Sequence, residues 1–159
     1  MEEYSDLVLD LLEKAEDLKF SGQNKESIKL LERIITEEPN CVEAFEEIGD
    51  NYLSLKELKK AEKALKQAIL IDKNSSNAHY LLGFLYSIIG SWKKSVSELK
   101  KSNELLPNHP EILRCLGWSF YNDRRVQQGI SLLERSLNLR PNDPHTLCDL
   151  GICYMNLDN

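Results

Sequence analysis

Glycine and proline are scarce in this sequence, with seven glycines and five prolines among 159 residues. Because the tight turns between strands rely on both residues, this scarcity disfavours a β-rich fold. Long hydrophobic runs are also missing, since none approaches the ~18 residues that a membrane-spanning helix needs. The N-terminal stretch MEEYSDLVLD lacks the basic and then apolar order of a signal peptide. We therefore expect a cytoplasmic protein with no membrane partner.

An excess of positive charge is absent as well. Lys and Arg number 20 against 26 Asp and Glu, so that the formal net charge is −6. Nucleic acids bind basic surfaces, and this balance argues against DNA or RNA as a partner. Lysines do cluster at 56–66 and 93–101, but no aromatic residues alternate with them. We interpret these lysines as solubilising charge.

Catalytic and metal-binding motifs are missing too. The sequence contains no Gly-rich phosphate loop, no G-x-S-x-G elbow and no H-E-x-x-H pair, so we predict neither enzyme activity nor a cofactor. None of the four cysteines forms a C-x-x-C pair, which favours reduced thiols. His145, Cys148 and Asp149 share a helix face, but their spacing matches no established ligand motif. Packing of small residues explains them, and we predict no metal site.

What the sequence does contain is a period of 34 residues. Glycine recurs at this spacing, each time directly after an aliphatic residue and three residues before an aromatic one. The four glycines are Gly49, Gly83, Gly117 and Gly151. Pro107 and Pro141 are separated by the same period, and Pro39 precedes Pro107 by twice that distance. Several columns that share one period predict a repeat protein.

Each period divides into two helical halves. Within residues 42–75, apolar residues recur at helix-face spacing from Val42 to Tyr52 and again from Ala61 to Ile69. Small residues at the glycine column and in the second half predict that the two helices approach closely. Large residues at the matching positions Leu65, Leu99 and Leu133 would fill the space between them.

Helix boundaries are marked by residues with special backbone properties. Gly22 and Gly90 fall between the halves of their repeats, where a helix C-cap is expected. Pro110 fits the first turn of a helix, where a missing N–H costs nothing. Asn40 and Asn108 are each followed three residues later by Glu, which predicts that these asparagines are N-caps.

These columns resemble tetratricopeptide repeats (TPR): an aliphatic-glycine pair, an aromatic residue three positions later, a small residue opening the second helix and a proline near its end. The resemblance covers repeats at about 8–41, 42–75, 76–109 and 110–143 and a partial repeat at 144–159. It implies an all-α, right-handed superhelical solenoid of antiparallel helix pairs, with about four and a half repeats in a single array over 1–159. The last helix is apolar on more than one face, where a solenoid end should be polar. We therefore expect a fragment of a longer protein, or an end that a partner covers.

The resemblance also implies a binding surface, because such arrays bind ligands along the concave face of their first helices. The family's contact positions carry apolar, aromatic and basic residues in the later repeats: Tyr80, Leu81, Phe84, Ile88, Arg114, Trp118, Tyr121 and Ile152. Acidic residues occupy them in the second repeat: Glu43, Glu46, Glu47 and Asp50. We predict a non-catalytic interaction scaffold whose partner is a peptide or helix with apolar and basic character.

Several alternatives remain open at this stage. The concave aromatic residues could pack only against neighbouring helices, and the acidic cluster could be a plain solvated face. The chain could instead be a regulatory or targeting domain of a longer enzyme. It could also be a self-assembly module that forms a weak homo-oligomer through its open C-terminal helix.

Overall fold

The computed structural model describes residues 4–158, and within them the chain forms nine α-helices and no strand. The helices are α1 (Asp6–Phe20), α2 (Asn24–Glu37), α3 (Val42–Ser54), α4 (Leu58–Ile71), α5 (Ser76–Ile88), α6 (Trp92–Leu105), α7 (Pro110–Asn122), α8 (Val126–Leu139) and α9 (Pro144–Leu157). The predicted all-α class is therefore confirmed. None of the helices in the described part of the chain is long and apolar enough to cross a membrane.

The chain divides into two compact units, unit 1 (Met1–Leu81) and unit 2 (Leu82–Asn159), with the boundary inside α5. In unit 1, α1 packs on α2, α2 on α3 and α3 on α4. In unit 2, α6 packs on α7, α7 on α8 and α8 on α9. Each unit buries large aliphatic side chains between its helices, such as Leu31 and Leu65 in unit 1 and Leu99 and Leu133 in unit 2.

The small-residue columns bring paired helices into close contact. A Cβ atom added to Gly49 would lie 2.6 Å from the side chain of Leu65, and one added to Gly83 would lie 2.6 Å from Leu99. In α7 and α8 the backbones themselves meet, because a Cβ on Gly117 would lie 2.8 Å from the carbonyl oxygen of Gly129. The alternation of glycine and leucine therefore sets how close the helices of a pair can approach.

Serines of the second helices add a buried hydrogen bond to this packing. The Ser27 hydroxyl donates to the carbonyl of Ala15 over 2.7 Å, and the Ser95 hydroxyl donates to the carbonyl of Gly83 over the same distance. Both serines lie at the same repeat position. A serine there forms a hydrogen bond with the backbone of the neighbouring helix. Its hydroxyl donor is therefore paired although the side chain is buried.

Turns between the helices follow the predicted glycine positions. Gly22 and Gly90 have positive φ values of 79° and 74°, as a left-handed C-terminal turn requires. At the same repeat position Lys56 and Arg124 adopt φ of 60° and 65° without the benefit of glycine. Pro110 occupies the first turn of α7 as expected.

The prediction of asparagine N-caps is wrong. α3 is preceded by Cys41 and α7 by His109, and neither makes a side-chain cap hydrogen bond. Asn108 instead lies in the turn with φ of 61°, a conformation that asparagine tolerates better than most residues. Side-chain caps come from Asp143, which accepts the Thr146 N–H over 2.8 Å, and from Ser75, which accepts the Ala78 N–H over 2.9 Å.

Candidate protein-binding faces

The acidic residues predicted in the second repeat lie in unit 1, where a lysine neutralises part of their charge. Lys19 at the end of α1 donates from Nζ to Glu47 over 2.5 Å and to Asp50 over 3.0 Å. Burial by itself would lower the pKa of Lys19, but its bonds to both carboxylates outweigh this, and the pKa lies above its ordinary value. The cluster therefore joins the two first helices α1 and α3 as well as presenting negative charge.

Glu46 is buried and makes its bonds inside unit 1. It accepts from the hydroxyl of Ser75 and, over 3.1 Å, from the side-chain amide of Asn77. Burial raises the pKa of Glu46, although the two hydrogen bonds act in the opposite direction. Since Ser75 also caps α5, Glu46 holds the start of α5 against α3 and offers little surface to a partner.

The remaining predicted residues of unit 1 differ in exposure. Glu43 is exposed and accepts a hydrogen bond from the Tyr4 hydroxyl over 2.6 Å. Burial and this bond together raise the pKa of Tyr4. Tyr80 is half-buried, whereas Leu81 is buried in the core. Glu43, Glu47, Asp50 and Tyr80 therefore keep accessible surface, and Leu81 contributes mainly to packing.

In unit 2 the predicted aromatic residues form a stacked pair. The rings of Trp118 and Tyr121 lie 5.9 Å apart with an angle of 22° between their planes. Both are half-buried and pack against a core cluster that includes Leu133 and Leu150. The Tyr121 hydroxyl accepts a hydrogen bond from the amide of Asn156 on α9 over 2.9 Å. The pair therefore supports the helix packing and at the same time leaves ring surface open.

Exposed aliphatic residues add to this surface of unit 2. Ile88 at the end of α5 is 51% exposed, and Ile152 on α9 is 40% exposed. Phe84 is half-buried on α5. Burial of such side chains in a partner is favourable, and the core of unit 2 is already filled by other residues.

Arg114 is held by two carboxylates. Its guanidinium donates to Glu111 over 2.6 Å and to Asp149 over 2.8 Å, so that it connects α7 with α9. Burial alone would lower the pKa of Arg114, but the bond to Glu111 and the other nearby groups raise it above the ordinary value. Like Lys19 in unit 1, Arg114 joins two successive first helices. Repeat position alone does not reveal this role of Arg114, because it depends on which acids of the next repeat face the cation.

The outer face of α9 differs from the same face of α7. Leu147 is 47% exposed and Tyr154 is 44% exposed, whereas the corresponding residues Leu113 and Phe120 are 0% and 5% exposed. No atom lies within 4 Å of the position that a Cβ on Gly151 would occupy. In α7 this face is covered by α8. The amino-acid pattern makes α9 apolar on more than one face, and the face with Leu147, Gly151 and Tyr154 is the open one.

Few residues are candidates for metal binding or for nucleophilic chemistry. Among residues 4–158, no three His, Cys, Asp or Glu side chains come together in a way that could hold a metal ion. None of the cysteines among residues 4–158 forms a disulfide, and three of the four are buried. Burial raises the pKa of Cys153 to about 11, so this thiol is a poor nucleophile at neutral pH.

Comparison with known proteins supports the repeat assignment. The tetratricopeptide repeat family model matches residues 21–85. No curated protein matches the chain in sequence. Solved structures are similar over almost the whole chain, including MamA (residues 41 to the end) of Desulfovibrio magneticus RS-1 with 18% identity, a TM-score of 0.84 and coverage of 98% of this chain and 88% of that chain.

Two further solved structures resemble the chain. PilF of Pseudomonas aeruginosa has 14% identity and a TM-score of 0.86, and the match covers 95% of this chain and 69% of that chain. YrrB, described as a TPR protein with an unusual peptide-binding site, has 16% identity and a TM-score of 0.75, with 94% and 77% covered. At such low identities the similarity shows the fold alone. The predicted TPR fold is thereby confirmed.

Proposed function

We propose that this chain, which has the tetratricopeptide repeat fold, is a non-catalytic scaffold that binds a peptide or helical segment of another protein. The binding residues lie on the first helices of its repeats. The observation that carries this proposal is the stacked, half-buried Trp118–Tyr121 pair of unit 2, together with the exposed side chains of Ile88 and Ile152 on the first helices α5 and α9. The four cysteines, which are reduced thiols, favour the reducing cytoplasm as its location.

The aromatic pair suits the role of an anchor. Tryptophan and tyrosine bury large areas at a low cost in side-chain entropy, and they dominate many protein interfaces. Trp118 and Tyr121 are already held by each other and by the core cluster beneath them, so a partner would meet a preformed surface. Ile152 and Ile88 offer aliphatic contacts that are open to solvent in the isolated chain.

The charged residues of unit 1 bear on the charge that we expect of the partner. In unit 1 the two acids Glu47 and Asp50 share one cation, Lys19, and Glu46 is buried. In the proposal, steering of a basic partner therefore falls to exposed Glu43 and to the surplus negative charge of the Lys19 cluster. The partner is a segment with apolar anchors and some basic residues.

A pair of matched substitutions tests the scaffold proposal. Proteins captured from a lysate by the intact chain would be identified, and the affinity of one purified partner would then be titrated against variants. Ile152→Ser should weaken binding by about tenfold or more, because it removes exposed apolar surface on the proposed face. The control Leu139→Ser removes an equally exposed leucine on the second helix α8 and should leave the affinity unchanged.

A loss of affinity can be distinguished from a loss of folding, because both residues are exposed and neither substitution should unfold the chain. Equal effects of Ile152→Ser and Leu139→Ser, or no effect of Ile152→Ser, would refute binding on the first-helix face. Trp118 fluorescence offers a second readout once Trp92, the other tryptophan, is replaced by phenylalanine. Docking on the proposed face should shift Trp118 emission.

A second candidate function is self-association through α9. The observation that favours it is the open face formed by Leu147, Gly151 and Tyr154, whose counterparts in α7 are covered. Sedimentation velocity over a wide concentration range would test it. A dimer that dissociates in the variant Leu147→Glu would support self-association, and a strict monomer at high concentration would exclude it.

A further inference from the structure

Unit 1 also has a groove, which lies away from the proposed binding face on the first helices. The scaffold function does not use this groove. It is a cavity of about 540 Å³ between α2 and α4, with α3 beneath it. Phe45, Ile48 and Tyr52 of α3 form its floor, and Ile35 and Ala64 line the two walls. A volume of this size is in the range of sites that accept a ligand or a large side chain.

The residue of α4 that lines the groove is small. Ala64 occupies the repeat position that Leu132 holds in α8. In unit 2 the residues Leu113 and Phe120 are buried, whereas Phe45 and Tyr52 at the same repeat positions remain only half-buried. Unit 2 also has a cavity, of about 450 Å³, beside Phe120 and Leu132. A groove at this repeat position therefore recurs, and unit 1 differs in leaving more of the aromatic floor accessible.

The α4 wall of the groove is basic. Lys60 and Lys63 line the cavity; Lys60 forms an ion pair with Glu57 and lies with its Nζ 5.4 Å from the centre of the Tyr52 ring. Within residues 56–66, five lysines stand against two glutamates, although the whole chain carries a net charge of −6. Glu32 on the α2 wall is the one acid that lines the cavity. The groove thus combines an apolar floor with one positively charged edge.

We propose that this groove binds an acidic segment of a partner protein that inserts one large apolar side chain between α2 and α4. The apolar anchor covers Phe45 and Tyr52. One carboxylate next to it pairs with Lys63, and a second competes with Glu57 for Lys60. Charge complementarity selects an acidic segment, because a basic one would face the lysines of α4. This site is separate from the first-helix face, and it does not depend on the function proposed there.

Methyl and amide NMR of the intact chain tests the proposal directly. The probe is a short synthetic peptide with one tryptophan between pairs of glutamates. We expect saturable shifts at the methyl groups of Ile35, Ile48 and Ala64. A peptide with alanine for tryptophan, or with lysines for the glutamates, should not produce them. No saturable shift with the tryptophan-glutamate peptide, or shifts confined to unit 2, would overturn the proposal.

Variants of the groove sharpen this experiment. Ala64→Leu, which copies the residue of α8, should narrow the groove next to its aromatic floor and weaken binding by at least about tenfold. Lys63→Glu should weaken binding by a similar factor, and because Lys63 is exposed this change should not unfold the chain. The control Lys59→Glu makes the same charge change on the same helix but does not line the cavity, so its effect should stay below about twofold.

Other occupants give different results. Binding that Ala64→Leu and Lys63→Glu leave unchanged would overturn the proposal. Shifts at Ile35, Ile48 and Ala64 that appear with dodecanoate but not with the peptide would assign the groove to a small anionic amphiphile and would also overturn it. Shifts that grow with protein concentration before any peptide is added would show that a second copy fills the groove.

Discussion

Alanine in place of Gly117 and of Gly151 should change the stability of the protein in opposite directions, although the two glycines hold the same position in successive repeats. In α7 a Cβ on Gly117 would lie 2.8 Å from the Gly129 carbonyl oxygen and 3.0 Å from the backbone nitrogen of Leu133. These are backbone atoms, so no side-chain rotation relieves the contact. In α9 a Cβ on Gly151 meets no atom within 4 Å.

The magnitudes follow from two competing terms. Alanine favours a helix interior over glycine by roughly 0.5–1 kcal/mol. Overpacking a close helix contact costs typically about 1–3 kcal/mol. Both terms act at Gly117, and the free energy of unfolding of Gly117→Ala should fall by about 1–2 kcal/mol. Only the helix preference of alanine acts at Gly151, so the free energy of unfolding of Gly151→Ala should rise by about 0.5–1 kcal/mol.

Urea unfolding followed by circular dichroism would measure both changes. Because repeat arrays can unfold in parts, hydrogen exchange of the amides in α7, α8 and α9 should accompany the melts. Gly117→Ala should speed exchange in α7 and α8, while Gly151→Ala should slow it in α9. A shift of both variants in the same direction would refute the reasoning. Destabilisation by Gly151→Ala would mean that another helix covers α9 in solution.

Three further predictions concern turns and buried charges. Lys56→Gly and Arg124→Gly should each raise the free energy of unfolding by about 0.5–1 kcal/mol, since both positions have positive φ, and thermal melts would detect it. The pKa of Glu46 is raised in the folded state, so the stability linked to its protonation is present at low pH and is lost as the pH rises through the raised pKa. Glu46→Gln should therefore lose this part of the pH dependence, and parallel melting curves of both proteins across acidic pH would contradict it. Lys19→Met should lower the free energy of unfolding by about 1 kcal/mol at low salt and by less at high salt. Without the lysine, the carboxylates of Glu47 and Asp50 repel each other, and salt screens that repulsion.

The fold was predictable because the same pattern of packing residues occurs in several successive repeats. The glycine column, its leucine partners and the first-turn prolines are local features, and each one recurs every 34 residues. Gly22 and Gly90 ended their helices as expected because a left-handed turn favours glycine strongly. The predicted cap at Asn108 failed because the turn needed a left-handed residue there, and this requirement outweighed the capping preference of asparagine.

The candidate sites were less predictable, because burial and pairing depend on residues far apart in the sequence. Position in a repeat placed Glu46 and Leu81 on a binding face, but the structure buries both. The pairing of Lys19 with Glu47 joins residues 28 apart, and that of Arg114 with Asp149 joins residues 35 apart. Such pairs depend on the spacing between neighbouring helices, which repeat position alone does not give.

The sequence by itself determined that this protein is a helical repeat, where its helices begin and end to within a few residues, and which columns fill its core. Local backbone preferences and hydrophobic periodicity are sufficient for that. Only the tertiary structure decided which charged residues neutralise one another, and which apolar faces stay open. Ala64 shows the difference clearly: in the sequence it is one more small residue of a helix, and in the folded chain it lines a groove, because α2 and α3 supply the rest of the lining.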